Sequence, residues 1–259
     1  MGDLRIDYYI SLWNYTHCTA VPSLEHVLAE IRAAGYGAEP WTTWKDRESL
    51  IDETGRERLR VAADGMELTL HSGNITTFEG HKTHIDAAAH FGAALIVLHD
   101  PAVAPKDGVV DAALARDAVA YAAERNVTLA LENGPLELLA EAIEKVDGLA
   151  VCFDVGHVYF TKHSMRDFVE ALDERIVHLH LQDTLNPVER DTIPGAPGDH
   201  YVCGTGGIPR DDWEYLVAEL ARTRESITGA YELRPRPVLQ LAMHARAYVE
   251  DLLNGKPEG

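Results

Sequence analysis

The stretch TLALE, residues 128–132, alternates small or polar side chains with leucines and ends on an acid. Successive side chains of an extended strand point to opposite faces, so Thr128 and Ala130 share a face with Glu132, while Leu129 and Leu131 share the other. This pattern suits a barrel strand: the leucines pack outward against helices and the carboxylate closes the inner face at a polar mouth. VCFD (151–154) repeats it, with Asp154 in phase with Cys152 and opposed by Val151 and Phe153. In LTLH (68–71) His71 is in phase with Thr69. HLHLQ (178–182) sets His178 and His180 against Leu179 and Leu181, and GAYE (229–232) sets Glu232 and Ala230 against Tyr231.

Eight such runs occur, over 6–13, 36–41, 67–72, 95–100, 127–133, 149–154, 176–183 and 229–234. Amphipathic stretches separate them. The segment 23–35 opens on Ser23 and closes on Gly35, 111–126 opens on Asp111, and 237–253 opens on proline, each a helix-boundary signal. Strands alternating with helices predict an α/β fold with a parallel sheet, and eight repeats predict a single (β/α)8 TIM barrel spanning 1–259. An open doubly wound sheet would more often follow its first strand with a glycine-rich phosphate loop; LWNYTHCTA (12–20) is not one.

The 42 acidic residues against 23 basic ones give a formal charge of -19, which disfavours nucleic acid as a partner. No run reaches the ~18 apolar residues of a membrane span, and the first residues lack the basic-then-apolar pattern of a signal peptide, so a cytoplasmic protein without a membrane partner is expected. Cys18, Cys152 and Cys203 are odd in number and lack CxxC spacing, which argues against a disulfide framework. The oligomeric state stays open, a homo-oligomer included. The stretch 184–209, rich in Pro, Gly and Asp, reads as a long loop that carries His200; loops of that length usually serve function.

Six strands end on an inward-facing His, Asp or Glu: His71, His99, Glu132, Asp154, His180 and Glu232, with Glu39 as a seventh candidate. All fall at C-terminal strand ends, the catalytic face of such barrels. Gathering several carboxylates in one cavity costs several kcal/mol per ion unless a counter-charge is present. A divalent metal (Mn, Zn, Co or Mg) removes that cost, and carboxylate and imidazole are ordinary ligands for such ions. His178, two residues deeper than His180, reads as a packed interior group. His26, His81, His84, His90, His163 and His244 fall in helical or loop stretches and read as solvated.

LALENG, CFDVGH, HLHLQD and YELRP, together with AAGYGAEPW in the second unit, resemble the xylose isomerase-like TIM-barrel superfamily of sugar-phosphate isomerases/epimerases and endonuclease IV. The resemblance implies a metal held by Glu132, Asp154, His180 and Glu232, with His157 of the D-x-x-H pair reaching a substrate oxygen. It implies isomerisation or epimerisation of a small sugar, sugar phosphate or keto-polyol through a metal-stabilised enediolate, with Glu132 and Glu232 moving the proton. Glu39 and Arg234 are expected to bind substrate, although a rim salt bridge suits Arg234 equally. An arginine soon after the strand-seven histidine is common in the epimerases; the nearest here is Arg190. The endonuclease IV branch adds histidines that match His71, His99, His157 and His200 as further metal or substrate ligands. It also places an acid two residues before the last of them, where this chain has Gly198, with Asp199 displaced by one. A zinc phosphodiesterase on abasic DNA, a keto-polyol dehydratase or lyase, and a non-catalytic sugar-binding barrel remain alternatives.

Overall fold

Eight parallel strands form the sheet of a nearly closed barrel in the computed structural model, in which residues 4–16, 22–45, 48–185, 198–234 and 236–255 are described. They are β1 (Arg5–Ser11), β2 (Gly37–Glu39), β3 (Leu70–His71), β4 (Leu95–Leu98), β5 (Thr128–Glu132), β6 (Ala150–Asp154), β7 (Ile176–Leu181) and β8 (Ser226–Tyr231). Their order is β2-β1-β8-β7-β6-β5-β4-β3. Between β2 and β3 the ring is bridged by parallel pairings of Ala38 with Leu68 and of Trp41 with His71, and His71 donates its N–H to the Pro40 carbonyl at 2.8 Å. Each strand is followed by a helix: α1 (Leu24–Ala33), α2 (Glu53–Ala62), α3 (Phe78–Phe91), α4 (Ala112–Ala123), α5 (Leu136–Lys145), α6 (Met165–Leu172), α7 (Arg210–Thr223) and α8 (Val238–Leu253). Ser23 and Asp111 cap α1 and α4 through their side chains, as the sequence predicts.

The parity reading holds. Leu129, Leu131, Val151, Phe153, Leu179, Leu181 and Tyr231 are buried in the layer between sheet and helices. Inside the barrel a separate small cluster holds Leu95, Val97, Ala130, Ala150 and Cys152. Each fully buried leucine of the outer layer contributes roughly 2 kcal/mol of transfer free energy, and the small inner residues leave space for polar side chains above them. Several boundaries differ from expectation, those of the third and eighth strands among them. The third strand is short, since Leu68 joins only through an isolated bridge. The eighth begins three residues earlier, at polar Ser226, and ends at Tyr231, so Glu232 is the first residue beyond it.

Cys18, Arg190 and the middle of the 184–209 loop (186–197) lie outside the described residues. Among the described residues no helix is long and apolar enough to cross a membrane.

Candidate metal centre

The strand ends converge. Glu132 closes β5, Asp154 closes β6, His180 lies one residue before the end of β7, and Glu232 follows β8; all four are buried. One ligand atom from each lies within 4.8 Å of every other. Nδ1 of His180 is the hub: it stands 2.9 Å from Glu132 Oε1, 3.6 Å from Glu232 Oε2 and 3.8 Å from Asp154 Oδ2.

The backbone around these groups is fastened by side chains. The Asn133 amide donates to the Asp154 carbonyl at 3.0 Å and its oxygen accepts the Asp154 N–H. Asp154 Oδ1 accepts the backbone N–H of His157 at 2.9 Å, which folds the turn back over the mouth and leaves His157 Nδ1 3.6 Å from Asp154 and 3.5 Å from Glu132. Asn14 donates to the Tyr231 carbonyl and accepts the Leu233 N–H, so both sides of Glu232 are pinned. Ser11, the last residue of β1, donates its hydroxyl to Glu232 Oε1 at 2.9 Å, and His200 Nε2 lies 3.3 Å from Oε2.

Three carboxylates lean on very little positive charge. Burial is the largest influence on Glu132 and Glu232 and disfavours their ionisation, yet the surrounding histidines, His180 foremost, together outweigh it, lowering Glu132 well below the carboxylate range and Glu232 to about 2. Burial also opposes charge on His180, but Cys152, Glu232, Glu39 and Glu132 together raise it well above an ordinary imidazole. Asp154 receives the least relief, and burial raises its pKa despite His157. An imidazolium facing several carboxylates is the electrostatic arrangement a bound cation would replace, with Nδ1 and three carboxylate oxygens as donors. The donor set therefore fits a divalent metal.

Two further groups border the first. His71, His99 and Glu132 bring ligand atoms within 4.8 Å of one another, as do Asp154, His157 and His200. His71 Nε2 and His99 Nε2 lie 3.6 and 3.2 Å from Glu132 Oε2. Asp199 lies 3.3 Å from His200 Nδ1, and its other oxygen accepts from Arg234 Nε at 2.7 Å; the Arg234 guanidinium also stands 4.9 Å over the Trp13 ring. Arg234 thus makes the rim salt bridge. Cys152, His178 and His180 also cluster, but His178 spends Nδ1 on Thr228 Oγ1 at 2.6 Å and Nε2 on Glu39 at 3.0 Å. With both His178 nitrogens taken, that group packs as part of the barrel interior, where burial raises the Cys152 thiol.

Two expectations need correction. Glu39, read as a substrate ligand, is fully buried beneath the centre: Oε2 accepts from Thr69 and His178, and Oε1 lies 3.2 Å from His180 Nε2, without hydrogen-bond alignment. It orients imidazoles and is out of a substrate's reach. His81, read as solvated, is buried on α3 with Nε2 2.9 Å from the Ala102 carbonyl. His26, His90 and His244 are exposed, His84 and His163 half-buried. Sequence reading also passed over Trp41, which stacks on His71 at 4.4 Å, and Trp13, 4.3 Å from the His200 ring. Both close a strand-like run, and an aromatic there carries no parity signal of its own.

Residues 28–247 match the profile of the family described as Xylose isomerase-like TIM barrel. The chain belongs to that family. No curated protein matches it in sequence. Among solved structures it is similar to a D-tagatose 3-epimerase-like protein (18% identity, 97% of this chain and 99% of that chain, TM-score 0.72). It is also similar to the probable 3-DHS dehydratase of petrobactin synthesis from Bacillus anthracis (16%, 95% and 98%, TM-score 0.67). A third likeness is to endonuclease IV from Thermus thermophilus (18%, 95% and 99%, TM-score 0.63). At these identities the likeness is one of fold, and the chemistry must be argued from the residues.

Proposed function

We propose that this family member is a divalent-metal-dependent isomerase or epimerase of a small sugar, sugar phosphate or keto-polyol. The observation that carries the reading is the buried quartet of Glu132, Asp154, His180 and Glu232, whose ligand atoms all lie within 4.8 Å. When bound, the metal supplies Lewis acidity toward adjacent carbonyl and hydroxyl oxygens. Glu132 and Glu232, both bordering His180 Nδ1, remove and return the proton on the hydroxyl-bearing carbon next to the carbonyl, each transfer contributing roughly 10²- to 10⁴-fold. Ser11 and His200 hold Glu232 in place, and His71 and His99 flank Glu132. His157, about a third exposed, hydrogen-bonds a substrate oxygen at the mouth. Beside it opens a cavity of about 530 Å³, bordered by Asn133, Pro135, Phe160 and Lys162, with room for a sugar-sized molecule.

The test loads the protein with Mn²⁺ and follows solvent deuterium into a panel of ketoses and keto-polyols. The expected result is label at the carbon beside the carbonyl, lost in Glu132→Gln, with one metal per chain by elemental analysis. An unlabelled panel overturns the reading. The two flanking donor groups favour a second reading, a multi-metal phosphodiesterase of the endonuclease IV kind. Three metals per chain with cleavage of an abasic-site oligonucleotide would replace the first reading by it. The charge of -19 and the engagement of Asp199 with Arg234 weigh the other way.

A further inference from the structure

Gln182, the residue after β7, is fully buried and spends both ends of its amide. Its Nε2 donates to Asp154 Oδ1 at 2.9 Å and Oδ2 at 3.0 Å. Its Oε1 accepts the backbone N–H of His200 at 2.6 Å. Only the NH₂ end can face a carboxylate and only the oxygen can face an N–H, so the amide has a single workable orientation. His200 meanwhile holds a left-handed backbone, φ 62, that non-glycine residues rarely adopt, and its carbonyl accepts the Arg234 N–H at 2.8 Å.

Gly156 explains the rest. Its φ of -71 is open to any residue, so backbone conformation does not demand glycine there. Space does: a Cβ at 156 would meet Cδ and Oε1 of Gln182 at 2.5 Å and Nε2 at 2.9 Å. An amide tied at both ends has nowhere to retreat.

We propose that Gln182 is a positioning residue that fixes the Asp154 carboxylate for metal binding and ties it to His200, and that Gly156 is glycine to leave Gln182 its place. The proposal rests on the metal reading above. Ligand carboxylates held by an outer hydrogen bond typically lose about 10- to 100-fold in metal affinity when it is removed.

The experiment titrates Mn²⁺ calorimetrically into metal-stripped wild type, Gln182→Ala, Gln182→Met, Gly156→Ala and the Gly156→Ala/Gln182→Ala double variant, with a thermal melt of each stripped protein. Expected is about 10- to 100-fold weaker Mn²⁺ binding in every single variant. The double variant should bind no more weakly than Gln182→Ala, because shortening the side chain at 182 removes the obstacle to a methyl at 156. Gln182→Met keeps the volume, so it serves if the smaller variants fold poorly. Wild-type affinity in Gln182→Met, or additive losses in the double variant, overturn the proposal while leaving the metal reading intact. A wild type that takes up no Mn²⁺ defeats that reading, and the proposal with it.

Discussion

Glu39 and Glu132 sit on opposite sides of the His180 ring, 3.2 Å from Nε2 and 2.9 Å from Nδ1. Below the ring, Glu39 accepts from the Thr69 hydroxyl and from His178, whose other nitrogen faces Thr228. Burial lowers the His178 pKa and its proximity to Glu39 does not reverse this, so the neutral ring can donate to Glu39 and accept from Thr228. Above the ring, Glu132, Asp154 and Glu232 converge on one nitrogen. In the lower layer one oxygen of Glu39 has two donors and the other faces His180, while the three carboxylates of the upper layer are short of positive charge. An inward-facing acid in a barrel says little by itself; what marks a binding layer is carboxylate in excess of internal donors.

The difference has an energetic signature. Glu39→Ala should destabilise the protein by about 3 to 5 kcal/mol, the usual cost of breaking a buried charge pair by deleting one partner. Asp154→Asn should cost the metal-stripped protein less, about 1 to 3 kcal/mol: burial already raises this carboxyl and the amide oxygen can still accept from His157 and Gln182, but the new NH₂ faces the Gln182 NH₂ without an acceptor. Urea unfolding with and without Mn²⁺ separates the two: wild type and Glu39→Ala gain stability with metal, and Asp154→Asn does not. Equal destabilisation of the stripped proteins would erase the distinction between the layers.

The upper layer was legible in the sequence because parity needs only the strand and its phase. TLALE, VCFD and HLHL each announce which side chains face inward, and the eightfold alternation supplies the ring that brings their ends together. The lower layer was not legible. Glu39 ends a three-residue strand, too short for alternation to reveal how deep it lies, and its depth comes from pairing beside β1, with Glu39 opposite Ser11. His81 was missed for a related reason: on α3 its neighbours Lys82, Thr83 and His84 are polar, and its burial depends on the carbonyl of Ala102 two elements away. Gly156 was visible as a glycine, but the amide it makes room for is 26 residues on.

His81 offers a buried imidazole outside both layers. Burial lowers its pKa, and its bond to the Ala102 carbonyl only partly offsets that. The folded state therefore favours the neutral ring, while the unfolded chain titrates near 6.5. Stability from this source is complete above about pH 6.5 and declines as the pH falls from there toward the lower folded value. His81→Gln should lessen the loss of unfolding free energy that wild type shows in urea between about pH 7.5 and pH 5. An unchanged acid limb would mean that folding does not shift the His81 pKa, and a steeper one that the folded ring holds its proton more tightly than the unfolded chain does, as His180 is expected to without metal.

The smallest effect belongs to the exposed edge. Arg234 and Asp199 form the same kind of charge pair as the interior, with side chains 32% and 25% exposed. Water and salt screen such pairs, and they are typically worth about 0 to 1 kcal/mol. Arg234→Ala should shift the urea midpoint by no more than that, and the shift should shrink further in about 1 M salt. A drop of several kcal/mol that persists in salt would place Arg234 with the buried layers: it would mean that Asp199, the left-handed turn at His200 and the Trp13 ring depend on the guanidinium for the shape of the mouth.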